Sequence, residues 1–217
     1  MFFVVFEGAD GCGKTTAISY INEKVNAHCP CKILNDWCGD KGLEIKSEFV
    51  SNPNLTDSDR VKIVNFCRAG ALQQVLSELP KSHVLYDRFI LSTYAYQSTL
   101  GIGTLPVFEV AQSINISLKD LPYAPLFVMI NGGDYATQQS RINKRDKVKD
   151  VFDSLPSERY NKLQSFFNVS ARKVLTLHYK NAKIITVNNT GSLDDFYAQL
   201  DRIVDIILNS EGENYES

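Results

Sequence analysis

An eight-residue run near the start of the chain, Gly8-Ala9-Asp10-Gly11-Cys12-Gly13-Lys14-Thr15, limits the fold more than any other feature of the sequence. It fits G-x-x-x-x-G-K-[ST] in full. Before it, Phe2 to Phe6 is an unbroken apolar stretch, the pattern of a strand buried on both faces; after it, Thr15 to Val25 has helical periodicity. Strand, glycine-rich turn and helix in that order make a cradle for phosphate. The glycines let successive backbone N–H groups turn inward, and the helix start adds the positive end of its dipole. Lys14 is then expected to neutralise β- and γ-phosphate charge and the Thr15 hydroxyl to ligate Mg²⁺. Gly8, Asp10, Gly11, Cys12, Gly13, Lys14, Thr15 and Thr16 are the candidate ATP-binding residues, the thiol of Cys12 being incidental to a contact made by its backbone.

Short apolar runs recur at Lys32 to Leu34, His83 to Tyr86, Leu126 to Ile130 and Lys183 to Val187. They alternate with helical patterns at Ser58 to Leu79, Leu155 to Leu177 and Leu193 to Leu208, with Thr56 or Asp57 and Ser192 as caps. This alternation predicts an α/β chain: a three-layer P-loop NTPase fold with a five-stranded parallel sheet flanked by helices. The stretch 138–153 differs, crowding Arg141, Lys144, Arg145, Lys147 and Lys149 against Asp146, Asp150 and Asp153, and reads as a small mobile flap. A length of 217 residues suits one domain, here 1–209, with a polar tail at 210–217.

Charge and composition narrow the partners. With 23 Lys and Arg against 25 Asp and Glu, a broad electrostatic footprint for nucleic acid is missing, so any phosphate is gripped locally. Cys12, Cys29, Cys31, Cys38 and Cys67 include no CxxC pair and no zinc-finger spacing, as expected of reduced thiols in a cytoplasmic protein. Met1 leads straight into the first strand without a basic leader, and no apolar run approaches the ~20 residues that span a bilayer, so no membrane association is expected.

The phosphate loop alone leaves several nucleotide-handling classes open, and the base-reading N-K-x-D tetrapeptide of GTPases is absent. Other segments are more informative. Phe6-Glu7-Gly8-Ala9-Asp10 leads into the loop, Tyr86-Asp87-Arg88-Phe89 ends the third apolar run, and Ser92-Thr93-Tyr94-Ala95-Tyr96-Gln97 follows. Arg141-Ile142-x-x-Arg145-Asp146 and Asp150-Val151-Phe152-Asp153 come later. In order and spacing, over nearly the whole chain, these resemble the thymidylate kinase family, with its E-G-x-D loop, D-R-[YFH] triplet, S-x-x-A-Y-Q segment and arginine-bearing LID.

The resemblance implies ATP- and Mg²⁺-dependent phosphorylation of dTMP to dTDP by a homodimer. It places Asp10 near the sugar 3′-hydroxyl and a metal-bound water, and Arg88 on the acceptor 5′-phosphate, which a guanidinium can hold bidentately. Asp87 would organise Mg²⁺ or Arg88, Tyr96 would pack against the deoxyribose, and Ser92 or Thr93, with Gln97, would meet the base. Lys41 falls where the family has a second phosphate-binding arginine, keeping the charge without the fork. Some members carry an arginine directly after the loop Asp; this chain has Gly11, so Arg141 and Arg145, one helical turn apart, would supply charge to the transferring phosphoryl.

Base recognition departs from the pattern, which pairs a stacking aromatic with an arginine four residues later. In Val64-Asn65-Phe66-Cys67-Arg68-Ala69-Gly70 either Arg68 pairs with Val64 or Phe66 with Gly70, and on a regular helix Phe66 and Arg68 cannot share one face. Asn131 stands where the family usually has an acidic residue. Alternatives are a broader deoxynucleoside monophosphate kinase, a deoxynucleoside kinase, against which Asp87-Arg88-Phe89 counts, and a P-loop protein that binds nucleotide as a regulatory signal.

Overall fold

The structure, a computed structural model, describes residues 1–38, 40–114, 121, 125–144, 152–179 and 182–209. Among them β1 (Phe3–Glu7), β2 (Cys31–Asn35), β3 (His83–Asp87), β4 (Leu126–Asn131) and β5 (Lys183–Asn188) form one parallel sheet in the order β2-β3-β1-β4-β5. The helices are α1 (Lys14–Asn26), α2 (Asp40–Ser51), α3 (Asp57–Glu78), α4 (Ile90–Gln97), α5 (Val107–Ser113), α6 (Tyr135–Asn143), α7 (Ser157–Ser165), α8 (Ala171–His178) and α9 (Leu193–Asn209). The α/β architecture and all five strands agree with the expectation from the sequence.

Alternation along the strands sorts the core into two layers. Phe3 and Val5 of β1, Val84 and Tyr86 of β3, and Phe127 and Met129 of β4 pack against α3, α4, α7 and α8. Val4, Phe6, Leu85, Val128 and Ile130 face the other way, against α1 and α9. With both faces covered, the central strands must be apolar throughout, which is why they stood out as unbroken runs. The strand order reverses around β1, and open α/β sheets bind ligands beyond the carboxyl ends of the strands at such a point.

Local chemistry fixes the helix starts. Thr56 Oγ1 accepts from the Asp59 N–H while Asp59 accepts from the Thr56 N–H, a reciprocal cap on α3; Ser192 and Asp195 repeat it on α9. The pattern expected from Leu155 to Leu177 is helical but not uniform. A π-helical turn at Phe166–Ser170 joins α7 to α8, and both Phe166 and Phe167 are buried there, edge to face.

The first part of the stretch 138–153, expected as a flap, is helical. Residues through Asn143 belong to α6, capped by Asp134, with Gln138 and Ile142 buried, and Asp153 is buried as well. Arg145 with the rest of 145–151, and the tail 210–217, lie outside the described residues.

Candidate active site

Beyond the carboxyl ends of the strands lies a cleft of about 870 Å³. One end is the phosphate loop, where Gly11, Gly13, Lys14, Thr15 and Thr16 line the cleft. Gly8 and Cys12 do not line it; Cys12 is buried behind the loop. Lys14 is buried, and its Nζ donates to the carbonyls of Gly8 (3.0 Å) and Ala9 (2.9 Å), which holds the ammonium inside the loop. Two glycines are dictated by geometry. Gly11 has φ 79°, and a Cβ there would lie 2.9 Å from the Gln138 carbonyl oxygen of α6; Gly13, at φ 104° ahead of α1, would collide with the Asn189 side-chain amide. The contact at Gly11 leaves no room for an arginine in the loop. Arg141 lines the cleft instead, its guanidinium donating to the carbonyls of Gly132 (3.1 Å) and Asn189 (3.0 Å), while the Asn189 amide donates to the Cys12 carbonyl (2.9 Å).

The middle of the cleft is built where β1 and β3 pair side by side. Arg88 follows β3 with a left-handed backbone, φ 67°, and its N–H bonds the Phe6 carbonyl at 3.0 Å. Its guanidinium donates to the Gly8 carbonyl and the Ser92 hydroxyl, both at 3.1 Å, and to Asp10 Oδ1. Tyr96 donates its hydroxyl to Asp10 Oδ2, and the Arg88 guanidinium lies 5.5 Å from the Tyr96 ring centre. Asp10 thus bridges the two. Burial disfavours charge on Arg88, but Asp10, Tyr96, Asp87 and Glu7 outweigh it and hold the pKa well above the ordinary arginine value. Burial, then Asp10, pushes Tyr96 well above the usual tyrosine range, so its hydroxyl remains a donor.

Arg68 sits at the other end, fully buried, with Asp36, Trp37, Phe49 and Val64 around it on the cleft wall. Its guanidinium is held by Asp36 and by the Thr93 hydroxyl at 2.9 Å. Thr93 therefore serves the Arg68 end, whereas Ser92 serves Arg88; Gln97 is buried and lines the cleft. Of the two pairings open on α3, the cleft contains Arg68 with Val64. Phe66 is 75% exposed and outside it, and Gly70 faces open space, so the expectation of Phe66 as a substrate contact is not met, because one helical face cannot carry both residues. Lys41 is exposed and also outside the cleft; Lys46, further along α2, lines it.

Several participants were not anticipated. Glu7 has no accessible surface and accepts from Phe89 N–H (2.8 Å), Ser92 N–H (3.2 Å) and the Ser92 hydroxyl (2.6 Å), so a strand carboxylate caps α4 and fixes the turn that carries Arg88. Burial raises its pKa, against the pull of Ser92, Arg88 and the two N–H groups. Phe152 closes the cleft from above, edge to face with Tyr96 at 5.0 Å, and the Arg60 guanidinium lies 4.9 Å from the Phe49 ring centre and 5.4 Å from that of Phe152. An acidic residue at the carboxyl end of a predicted strand was the signal available for Glu7 and for Asp36, as it was for Asp87.

Asp87 Oδ1 is buried without a hydrogen-bond partner, and Thr15 is exposed at the loop end of the same cleft. Two hard oxygen donors beside a phosphate cradle fit a magnesium ion. Among the described residues no group of three or more His, Cys, Asp or Glu could hold a metal by itself, and no helix is long and apolar enough to cross a membrane.

Known proteins resemble the chain in sequence. The thymidylate kinase family profile matches residues 6–199. A probable thymidylate kinase of Methanococcus vannielii is 30% identical over 195 residues, covering 87% of each chain. One from Methanococcus maripaludis is 26% identical over 212 residues, 96% of this chain and 94% of its own. The thymidylate kinase of Acholeplasma laidlawii is 26% identical over 205 residues, covering 90% and 94% respectively. With loop, Asp-Arg turn and buried arginine in one cleft, and the match running from β1 into α9, the chain belongs to the thymidylate kinase family.

Proposed function

We propose that the chain transfers the γ-phosphoryl group of ATP to the 5′-phosphate of dTMP, giving dTDP and ADP. The observation that carries this reading is the position of Arg88 between the phosphate loop and Arg68, in a single cleft. A cation there can grip a phosphate whose nucleoside reaches toward Arg68 and whose oxygen faces the loop.

Phosphoryl transfer needs alignment and charge neutralisation more than covalent help. Lys14 and the loop amides hold the donor phosphates. Arg88, anchored by Asp10 and by the Gly8 carbonyl, holds the acceptor phosphate in line, and Lys46 is the α2 cation offered to the acceptor in place of Lys41. Tyr96 and Phe152 form the aromatic wall at the sugar, and Arg68 faces the base. Arg141 leaves the carbonyls of Gly132 and Asn189 to neutralise the moving phosphoryl group. Thr15 and Asp87 would hold Mg²⁺, which supplies further neutralisation of donor oxygens when bound with ATP. A phosphate monoester is already a nucleophile, so no general base is required. We also propose a homodimer, since the outward face of α3 carries the exposed Phe66.

A coupled assay with ATP and Mg²⁺ against dTMP, dUMP, dGMP, dCMP and thymidine tests the reading. We expect dTMP to be the best acceptor and thymidine to be inert, because both Asp10 oxygens are engaged, Glu7 is buried and Asp87 is assigned to Mg²⁺, leaving none of the three to accept a 5′-hydroxyl proton. Turnover of thymidine, or none with any monophosphate, would reject the proposal.

A further inference from the structure

Arg68 is among the largest fully buried side chains, and a guanidinium without water needs protein partners for its N–H groups. Asp36 provides two, fork on fork: Nε donates to Oδ1 at 2.9 Å and Nη2 to Oδ2 at 2.8 Å. Nη2 also reaches the Phe89 carbonyl (3.1 Å) and the Thr93 hydroxyl (2.9 Å). The carboxylate is itself pinned, since the Tyr86 hydroxyl donates to Asp36 Oδ1 at 2.7 Å. One nitrogen is left. Nη1 is buried and has no partner, although Arg68 lines the cleft. A buried donor without an acceptor is costly unless something else fills the role, and the cleft is where a ligand can do so.

We propose that Asp36 is a positioning residue for the acceptor base: by engaging Nε and Nη2 of Arg68 it reserves Nη1 for a single carbonyl oxygen on the base edge, and so sets a preference for a keto over an amino group there. The inference rests on the reading of the Arg68 end as the acceptor-base site. Nη1 can only donate. The 4-keto oxygen of thymine or uracil accepts from it, whereas the 4-amino group of cytosine sets N–H against N–H and leaves the arginine unsatisfied. A polar site built for one hydrogen bond rejects the analogue that cannot make it far more strongly than an apolar pocket rejects a change of size. Without Asp36 the guanidinium is free to turn, and that selectivity is lost.

Trp37 is the chain's one tryptophan and lines the cleft beside Asp36, so its fluorescence reports nucleotide binding independently of turnover. Titration with dTMP and with dCMP, alongside steady-state kinetics with ATP, should be run on the full chain and on Asp36→Asn, Arg68→Met, the double variant, and Tyr86→Phe. Asp36→Asn is expected to raise Kd and KM for dTMP about tenfold or more, leave kcat within about threefold, leave the KM for ATP unchanged, and shrink the dTMP-to-dCMP ratio about tenfold. In the Arg68→Met background the same change should add nothing. Tyr86→Phe, which keeps the carboxylate but releases its pin, should lower the ratio by a smaller factor; it preserves the test if Asp36→Asn does not fold. A loss of kcat shared equally by both nucleotides at constant ratio would mark Asp36 as structural only and overturn the proposal, as would an undiminished effect without Arg68. If the unsubstituted chain binds dTMP over dCMP yet does not phosphorylate it, the functional reading fails while the titrations still decide the role of Asp36.

Discussion

Glu7 shows what one buried ionisable side chain does for a cleft it does not line. Its carboxylate ties β1 to the start of α4 through three donors, and Arg88 and Ser92 are oriented by that junction. Because burial raises its pKa above the ordinary 4.5, the native state binds the proton more tightly than the unfolded chain. The stability so gained is complete below about pH 4.5 and is lost as pH rises through the native pKa. Glu7→Gln removes this dependence while its amide can still serve Phe89 and Ser92. Urea unfolding between pH 5 and 8 should show the stability of the unsubstituted chain falling relative to the variant, by no more than about 1.4 kcal/mol per pH unit. A difference that does not change with pH would mean the carboxyl group keeps its ordinary proton affinity. The motif Phe6-Glu7-Gly8 was visible in the sequence, but the role was not, because the partners of Glu7 lie 82 and 85 residues away.

Between elements, the contact that shapes the chemistry is the one where α6 meets the phosphate loop. At Gly11 the Gln138 carbonyl and a positive φ together exclude a side chain, so the arginine proposed for the moving phosphoryl group comes from outside the loop. Gly11→Ala is expected to lower stability by about 1–3 kcal/mol and to raise the KM for ATP more than that for dTMP. Thermal unfolding and two-substrate kinetics check this; unchanged values for both would mean the loop and α6 are not packed. Strands were legible as short unbroken apolar runs, because the central ones are covered on both faces, and the long amphipathic helices by the 3.6 period that one buried face leaves. The short helix α4 was not, since every residue from Ile90 to Gln97 is buried and no polar face remains to mark the period. In α6 the opposite holds: a mostly polar segment keeps only Gln138 and Ile142 inside, which is why it read as a charged flap.

At the scale of the molecule, the sheet gathers loops from distant parts of the chain at one edge, and the pairing of Asp36 with Arg68 across 32 residues is a product of that topology which no local pattern announces. Lys14, Arg88 and Tyr96 were legible because each belongs to a short motif, whereas Arg68 stood beside Phe66 as one of two alternatives. Phe66 was legible only as an aromatic on α3; its outward direction came from the helix phase that Arg68 sets. We expect the 24.4 kDa chain to sediment as a dimer and Phe66→Glu to shift it to monomer, since each buried Phe contributes about 1.5–3 kcal/mol and a two-fold interface counts it twice. A monomer at every concentration of the unsubstituted chain would remove the proposed assembly. The left-handed φ of 67° at Arg88 has a practical corollary. Glycine would relax that rotation, but it would strip Asp10 of its partly buried cation and take away the proposed phosphate clamp, so stability and the proposed chemistry both favour keeping the arginine. The uncommon rotation and the ion pair come together, and an engineering campaign on this scaffold does best to leave position 88 alone.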